Sequence, residues 1–190
     1  MLSYARTRIC SRVIVSSSRP YPQFAGMDLD EVVRKMGLPV EEAIAKLQPA
    51  SAIYFSMDEA DVQRILSFEH TMVGSDGLPH DIAPHPRLWG TFPRVLGHYS
   101  RDLKLFPLET AVRKMTGLPA KTFGLKDRGV LKEGAYADIT VFDPMTVAET
   151  ATWEKPIQSA RGIDATIVNG AVVWRNGRPT GARSGRVLRR

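Results

Sequence analysis

Asp76 sits in the run Gly74-Ser75-Asp76-Gly77, and Arg87 closes the segment His85-Pro86-Arg87 that follows. A carboxylate can accept a proton, and a guanidinium can grip another carboxylate through two parallel hydrogen bonds, which a lysine cannot do. The apolar stretch Thr71-Met72-Val73 leads into the acid, so the spacing predicts a strand that carries a proton acceptor at its carboxyl end, with an anion clamp nearby. Chemistry on a carboxylate-bearing substrate follows from that pairing. The bland alternatives stand beside it: Ser-Asp-Gly is also an ordinary Asx turn, and an arginine here is also an ordinary surface ion partner. His80 and His85 read as substrate-loop or supporting residues, or as simply packed or exposed histidines, and neither reads as a metal ligand.

The elements that must position these groups are legible by period. Val13-Ile14-Val15, with Arg8-Ile9-Cys10 before it, predicts a buried strand followed by a loop at Ser16-Ser17-Ser18. Leu29, Val32, Val33 and Met36 recur at helical spacing, with Asp28 and Glu31 as a capping box and Gly37 as a stop. Pro39 opens a second helix through Val40, Ala43, Ile44 and Leu47. Ala52-Ile53-Tyr54-Phe55 reads as a strand, and Ser56 with Glu59 caps a helix through Val62, Ile65 and Leu66. With Thr71-Met72-Val73 this makes strand, helix, strand, the pattern of a parallel βαβ unit. Thr91 to Tyr99 predicts a packing helix whose Val95, Leu96 and Tyr99 face the core. Pro107 begins another helix over Leu108, Ala111, Val112 and Met115, ended by Gly117 and Pro119.

After Phe123 the pattern turns to short β runs punctuated by Gly129, Gly134, Asp143-Pro144 and Asn176-Gly177. Asn169-Gly170 between two β-branched runs predicts a two-residue hairpin turn. Trp153 and Trp174 fit the interior or rim of this β region. A boundary near residue 125 therefore separates residues 1–125 from a β-rich portion over 126–190.

Composition narrows the classes. Of 190 residues 43% are hydrophobic, which predicts a folded globular protein rather than a disordered one. The formal charge of +6 gathers at the ends, in Arg6, Arg8, Arg12 and Arg19 and again in Arg183, Arg186, Arg189 and Arg190. Solvated basic termini explain it better than a nucleic-acid surface. The single cysteine, Cys10, cannot form an internal disulfide and suits a reducing, cytoplasmic setting. No run reaches the roughly 18 apolar residues of a membrane span. Residues 1–27, with four arginines and no acid, also fit a mitochondrial transit peptide, an alternative to the strand.

Several blocks together resemble the carboxyl-terminal portion of the D-aminoacylases, or N-acyl-D-amino-acid deacylases, of the metal-dependent amidohydrolase superfamily. They are Met57-Asp58-Glu59, Gly74-Ser75-Asp76-Gly77, His85-Pro86-Arg87, Gly90 to Gly97, Arg113 to Ala120, Asp127-Arg128-Gly129, Gly134 with Ala137-Asp138, and Val168-Asn169-Gly170. The resemblance implies an α/β fold: a partial (β/α) barrel segment over 1–125, its last barrel strand near 71–74, followed by a small β-sandwich portion over 126–190. It implies a hydrolase of carbon-nitrogen bonds other than peptide bonds, acting on N-acyl-D-amino acids. In that scheme Asp76 takes a proton from metal-bound water and passes it to the leaving amine, and Arg87 holds the substrate carboxylate. Zinc is implied for the complete enzyme.

The departures matter as much. A full barrel takes about 250 residues, so 190 residues are expected to be a partial chain. His70, His80, His85 and His98 do not form the superfamily's His-x-His pair, and no metal ligands are proposed from this chain. The isolated chain is expected to be inactive, with its open strand edges seeking a complementary barrel chain or a second copy. The alternative is a non-catalytic truncated remnant or association module of the same fold.

Overall fold

β-Branched Val13, Ile14 and Val15 open strand β1 (Val13–Ser18), which pairs antiparallel with β2 (Ala50–Tyr54) in the computed structural model, whose described residues are 12–188. The expected loop at Ser16-Ser17-Ser18 is corrected. All three serines lie in β1, where a bulge shifts the register between Val15 and Ser17, and Ser18 Oγ donates to Leu47 O at 2.7 Å. Arg8-Ile9-Cys10 lies outside the described residues.

Helix α1 (Leu29–Met36) starts where the Asp28 carboxylate accepts from Asp30 N–H at 3.0 Å and ends at Gly37, whose left-handed φ of 63° glycine adopts without steric cost. Asp28 caps as expected, but Glu31 does not complete a capping box and pairs with Lys35 at 3.1 Å instead. Helix α2 (Val40–Leu47) follows Pro39. Val15, Leu29, Val32, Ile44 and Leu47 close together into a buried core against which Val33, Met36 and Val40 pack. The periodicity of the sequence is thus the periodicity of burial.

Helix α3 (Glu59–Ser67) is capped by Asp58, which accepts from Ala60 N–H at 2.8 Å, and not by Ser56. The expected strand at Thr71-Met72-Val73 does not form. A strand needs a neighbouring ladder, and here Val73 N–H donates to Lys114 O at 3.2 Å while the Lys114 ammonium is spent on Phe68 O and on Thr71 O at 3.4 Å. The parallel βαβ expectation falls with it, since the described partner of β2 is the antiparallel β1. Lys114 is only 1% exposed, and burial holds its pKa below the ordinary lysine value.

Helix α4 (Arg87–Arg94) passes into a π-helical stretch over Val95–Asp102, in which Val95, Leu96 and Tyr99 are buried as the pattern predicted. Helix α5 (Leu108–Met115) follows Pro107. Gly117 does not stop the chain: it kinks at Thr116 and re-enters a short helix, α6 (Gly117–Thr122). The remaining strands are β3 (Ile139–Phe142), β4 (Ile163–Val168), β5 (Ala171–Arg175) and the two-residue β6 (Arg178–Pro179), an antiparallel meander in that order. Asn169 and Gly170 have φ of 46° and 83°, and Asn176 and Gly177 have 51° and 79°, the left-handed pairs that close two tight hairpins.

The described chain divides into two units. One runs to Val62 and takes in Asp76–Leu88 and Thr152–Ile157; the other holds Gln63–Ser75, Trp89–Ala151 and the chain from Gln158 onward. The architecture is α/β with open sheets.

Candidate functional site

Asp76 is held at φ 47°, a left-handed conformation that an aspartate tolerates better than most residues. Gly77 after it is required by contact: a Cβ there would lie 2.4 Å from Leu88 Cδ1 and 2.7 Å from Leu88 Cα. Glycine alone lets the turn press against the start of α4. Arg87, the first residue of that helix, reaches back across eleven residues to the same turn. Its Nη2 meets Asp76 Oδ2 at 2.8 Å and its Nε donates to Asp76 O at 3.0 Å. The two side chains stay 43% and 82% exposed, so the pair sits in water-accessible space.

His85 lies between them in sequence and beside them in space. Its Nδ1 accepts the Arg87 N–H at 2.9 Å, and its carbonyl accepts Leu88 N–H at 3.0 Å. An imidazole that accepts at Nδ1 carries its proton on Nε2 and is neutral. Burial first, and then the Arg87 charge, push its pKa down to about 4, with Asp76 opposing. The ring meets Trp153 edge-on at 4.7 Å; Trp153 lies 4.7 Å from Phe55, over which Arg12 sits at 5.2 Å.

Strand β1 anchors the loop between the acid and the arginine. Ser16 O accepts Ala83 N–H at 2.9 Å, and Ser17 Oγ faces Asp81 Oδ1 at 3.4 Å. The buried Ser16 hydroxyl has no hydrogen-bond partner among the described residues.

The structure therefore brings together Asp76 and Arg87, the two residues singled out by sequence, and adds His85 as the group that bonds to the arginine's own backbone. His80 is exposed and stands apart from these bonds. Trp153 is corrected: it belongs not with the β-rich region but with Phe55 and His85. No local spacing announces that contact. Chemically, the arrangement offers a carboxylate able to take a proton and a guanidinium able to bind an anion. A zinc ion does not fit it: among the described residues no three His, Cys, Asp or Glu side chains form a group that could hold a metal.

The chain is 59% identical to a D-aminoacylase of Alcaligenes xylosoxydans xylosoxydans over 190 residues, all of this chain and 39% of that protein. It is 52% identical to an N-acyl-D-aspartate deacylase of the same organism, over 99% of this chain and 38% of that protein. A solved N-acyl-D-glutamate deacylase from Bordetella bronchiseptica, complexed with zinc and a phosphonate inhibitor, superposes with a TM-score of 0.94 at 47% identity, covering 100% of this chain and 40% of that one. The chain thus spans about two fifths of the length of the relatives it matches. The model of the amidohydrolase family matches residues 25–174, which takes in Asp76, His85 and Arg87 though not strand β1, and the chain belongs to that family.

Proposed function

We propose that this chain is the carboxyl-terminal part of a hydrolase that cleaves the amide of N-acyl-D-amino acids, with Asp76 as the proton carrier and Arg87 as the clamp for the substrate carboxylate. The observation that carries the reading is the contact between the two, an exposed ion pair on a strained turn. A substrate carboxylate exchanges for Asp76 at Arg87 Nη2, and the released Asp76 carboxylate then takes a proton from the attacking water and gives it to the departing amine. Arg87 Nε meanwhile keeps its bond to the Asp76 carbonyl, so the turn holds its shape while the carboxylate changes partners.

Residues 1–125 form the barrel segment of this reading, and residues 126–190 contribute the sheet β3 to β6 to a small β-sandwich. Zinc, present in the solved N-acyl-D-glutamate deacylase, is the metal this reading implies for the complete enzyme. A complementary portion of the same fold is the natural partner. Its support is an apolar groove of about 550 Å³ lined by Phe92, Leu96, Met115, Leu131, Ile139 and Phe142. A cytoplasmic setting accompanies the reading, supported by the single cysteine. No helix among the described residues is long and apolar enough to cross a membrane.

The test is complementation. The isolated chain should bind no stoichiometric zinc by elemental analysis and should not turn over N-acetyl-D-methionine. Co-expressed with the remaining portion of the Alcaligenes D-aminoacylase, it should hydrolyse that substrate, and Asp76→Asn should abolish the hydrolysis. Turnover by the isolated chain would contradict its incompleteness. A complex that forms with wild-type chain but stays inactive would favour the second reading, a non-catalytic remnant, for which the two-fifths coverage is the supporting observation.

A further inference from the structure

We infer that His85 is a positioning residue for the anion clamp: its neutral imidazole, set against Trp153, accepts the Arg87 backbone N–H at Nδ1 and so fixes the direction in which the guanidinium leaves the start of α4. The inference rests on the reading of Arg87 as that clamp. Three features make the bond directional. It goes to the N–H of the very residue that carries the guanidinium, at 2.9 Å. Pro86 between them locks its own φ and contributes no competing donor. Trp153 packs edge-on against the ring at 4.7 Å, which limits rotation about its terminal torsion and keeps Nδ1 facing the helix.

The choice of histidine has a chemical reason. An aspartate could cap the same N–H, but its charge would compete with Asp76 and with a substrate carboxylate for the guanidinium. The imidazole provides an acceptor without an anion. A protonated ring would lose the acceptor and place a second cation beside Arg87. The site resists that state, because burial and the Arg87 charge both disfavour it and Asp76 alone favours it.

Nitrogen NMR of the full chain tests this. The wild-type His85 ring should show the Nε2-protonated neutral tautomer at neutral pH. In His85→Ala, the Arg87 Nε–H should exchange faster with solvent, and titrated acetate, the carboxylate probe, should bind Arg87 about fivefold more weakly, the factor matching about 1 kcal/mol for a lost cap. His85→Asn keeps an acceptor at the same N–H and should restore both. A proton on Nδ1, or a His85→Ala protein with unchanged Arg87 exchange, would overturn the inference. If His85→Ala does not fold, the wild-type tautomer and the rescue by asparagine decide. If acetate shifts nothing at Arg87 in the wild type, the clamp reading fails, while tautomer and exchange still decide the role of His85.

Discussion

Removing the Arg87 guanidinium should unsettle the site while leaving the scaffold almost untouched. The ion pair spans 2.8 Å, but its partners are 43% and 82% exposed. Exposed pairs of this kind contribute about 0.2–1 kcal/mol, far below what the separation would give in a dry interior. The second bond, from Nε to Asp76 O, holds the geometry and places the coupling toward the top of that range, about 0.5–1 kcal/mol. Urea unfolding of Arg87→Met, Asp76→Asn and the double variant measures it as a double-mutant cycle. Asn tolerates the left-handed backbone of residue 76 as well as Asp does, so the substitution removes charge without adding strain. In the same set, acetate binding should vanish in Arg87→Met and strengthen in Asp76→Asn, where the Asp76 charge no longer competes at Nη2. A coupling above about 2 kcal/mol, the scale of a buried pair, would refute the argument, because a contact that strong would not open for a substrate.

Two further outcomes test the scaffold and its pH dependence. Gly162→Ala should destabilise by about 2–5 kcal/mol in urea unfolding, combining a left-handed backbone with overpacking, since a Cβ at φ 72° would lie 2.5 Å from Val147 N. Gly170→Ala, at φ 83° with nothing within 4 Å, should carry only the backbone part, about 1–2 kcal/mol, and equal losses would refute the steric argument. The unfolded chain protonates His85 near pH 6.5 but the folded chain only near 4, so the unfolded state binds more protons between them and stability falls as pH drops through that window. His85→Gln should flatten this limb of the stability profile; an unchanged slope would mean that the histidine is not held neutral.

What the sequence made legible was local. Asp28, Gly37, Pro107 and Asn169-Gly170 act within a few residues of themselves, and each stands where its chemistry predicts. Asp76 and Arg87 also met, because a loop of eleven residues closes easily on a tight turn. The misreadings concern partners far along the chain. Thr71-Met72-Val73 has the composition of a strand, but its long-range hydrogen bonds go to Lys114, a donor and acceptor that no local pattern advertises. Trp153 has the composition of a β-region residue, yet its contacts are His85 and Phe55. Periodicity reports which face a segment buries, and not what it is buried against.

The four-stranded meander carries a polarity at its rims. At one side β6 is two residues long and ends in Pro179, which lacks an amide hydrogen, so that border is blunted against further strands. At the other, β3 offers four residues, Ile139 to Phe142, laddered among the described residues on a single flank by β4. Of the two rims, β3 therefore offers the longer run to a further strand, which gives growth of this sheet a favoured direction.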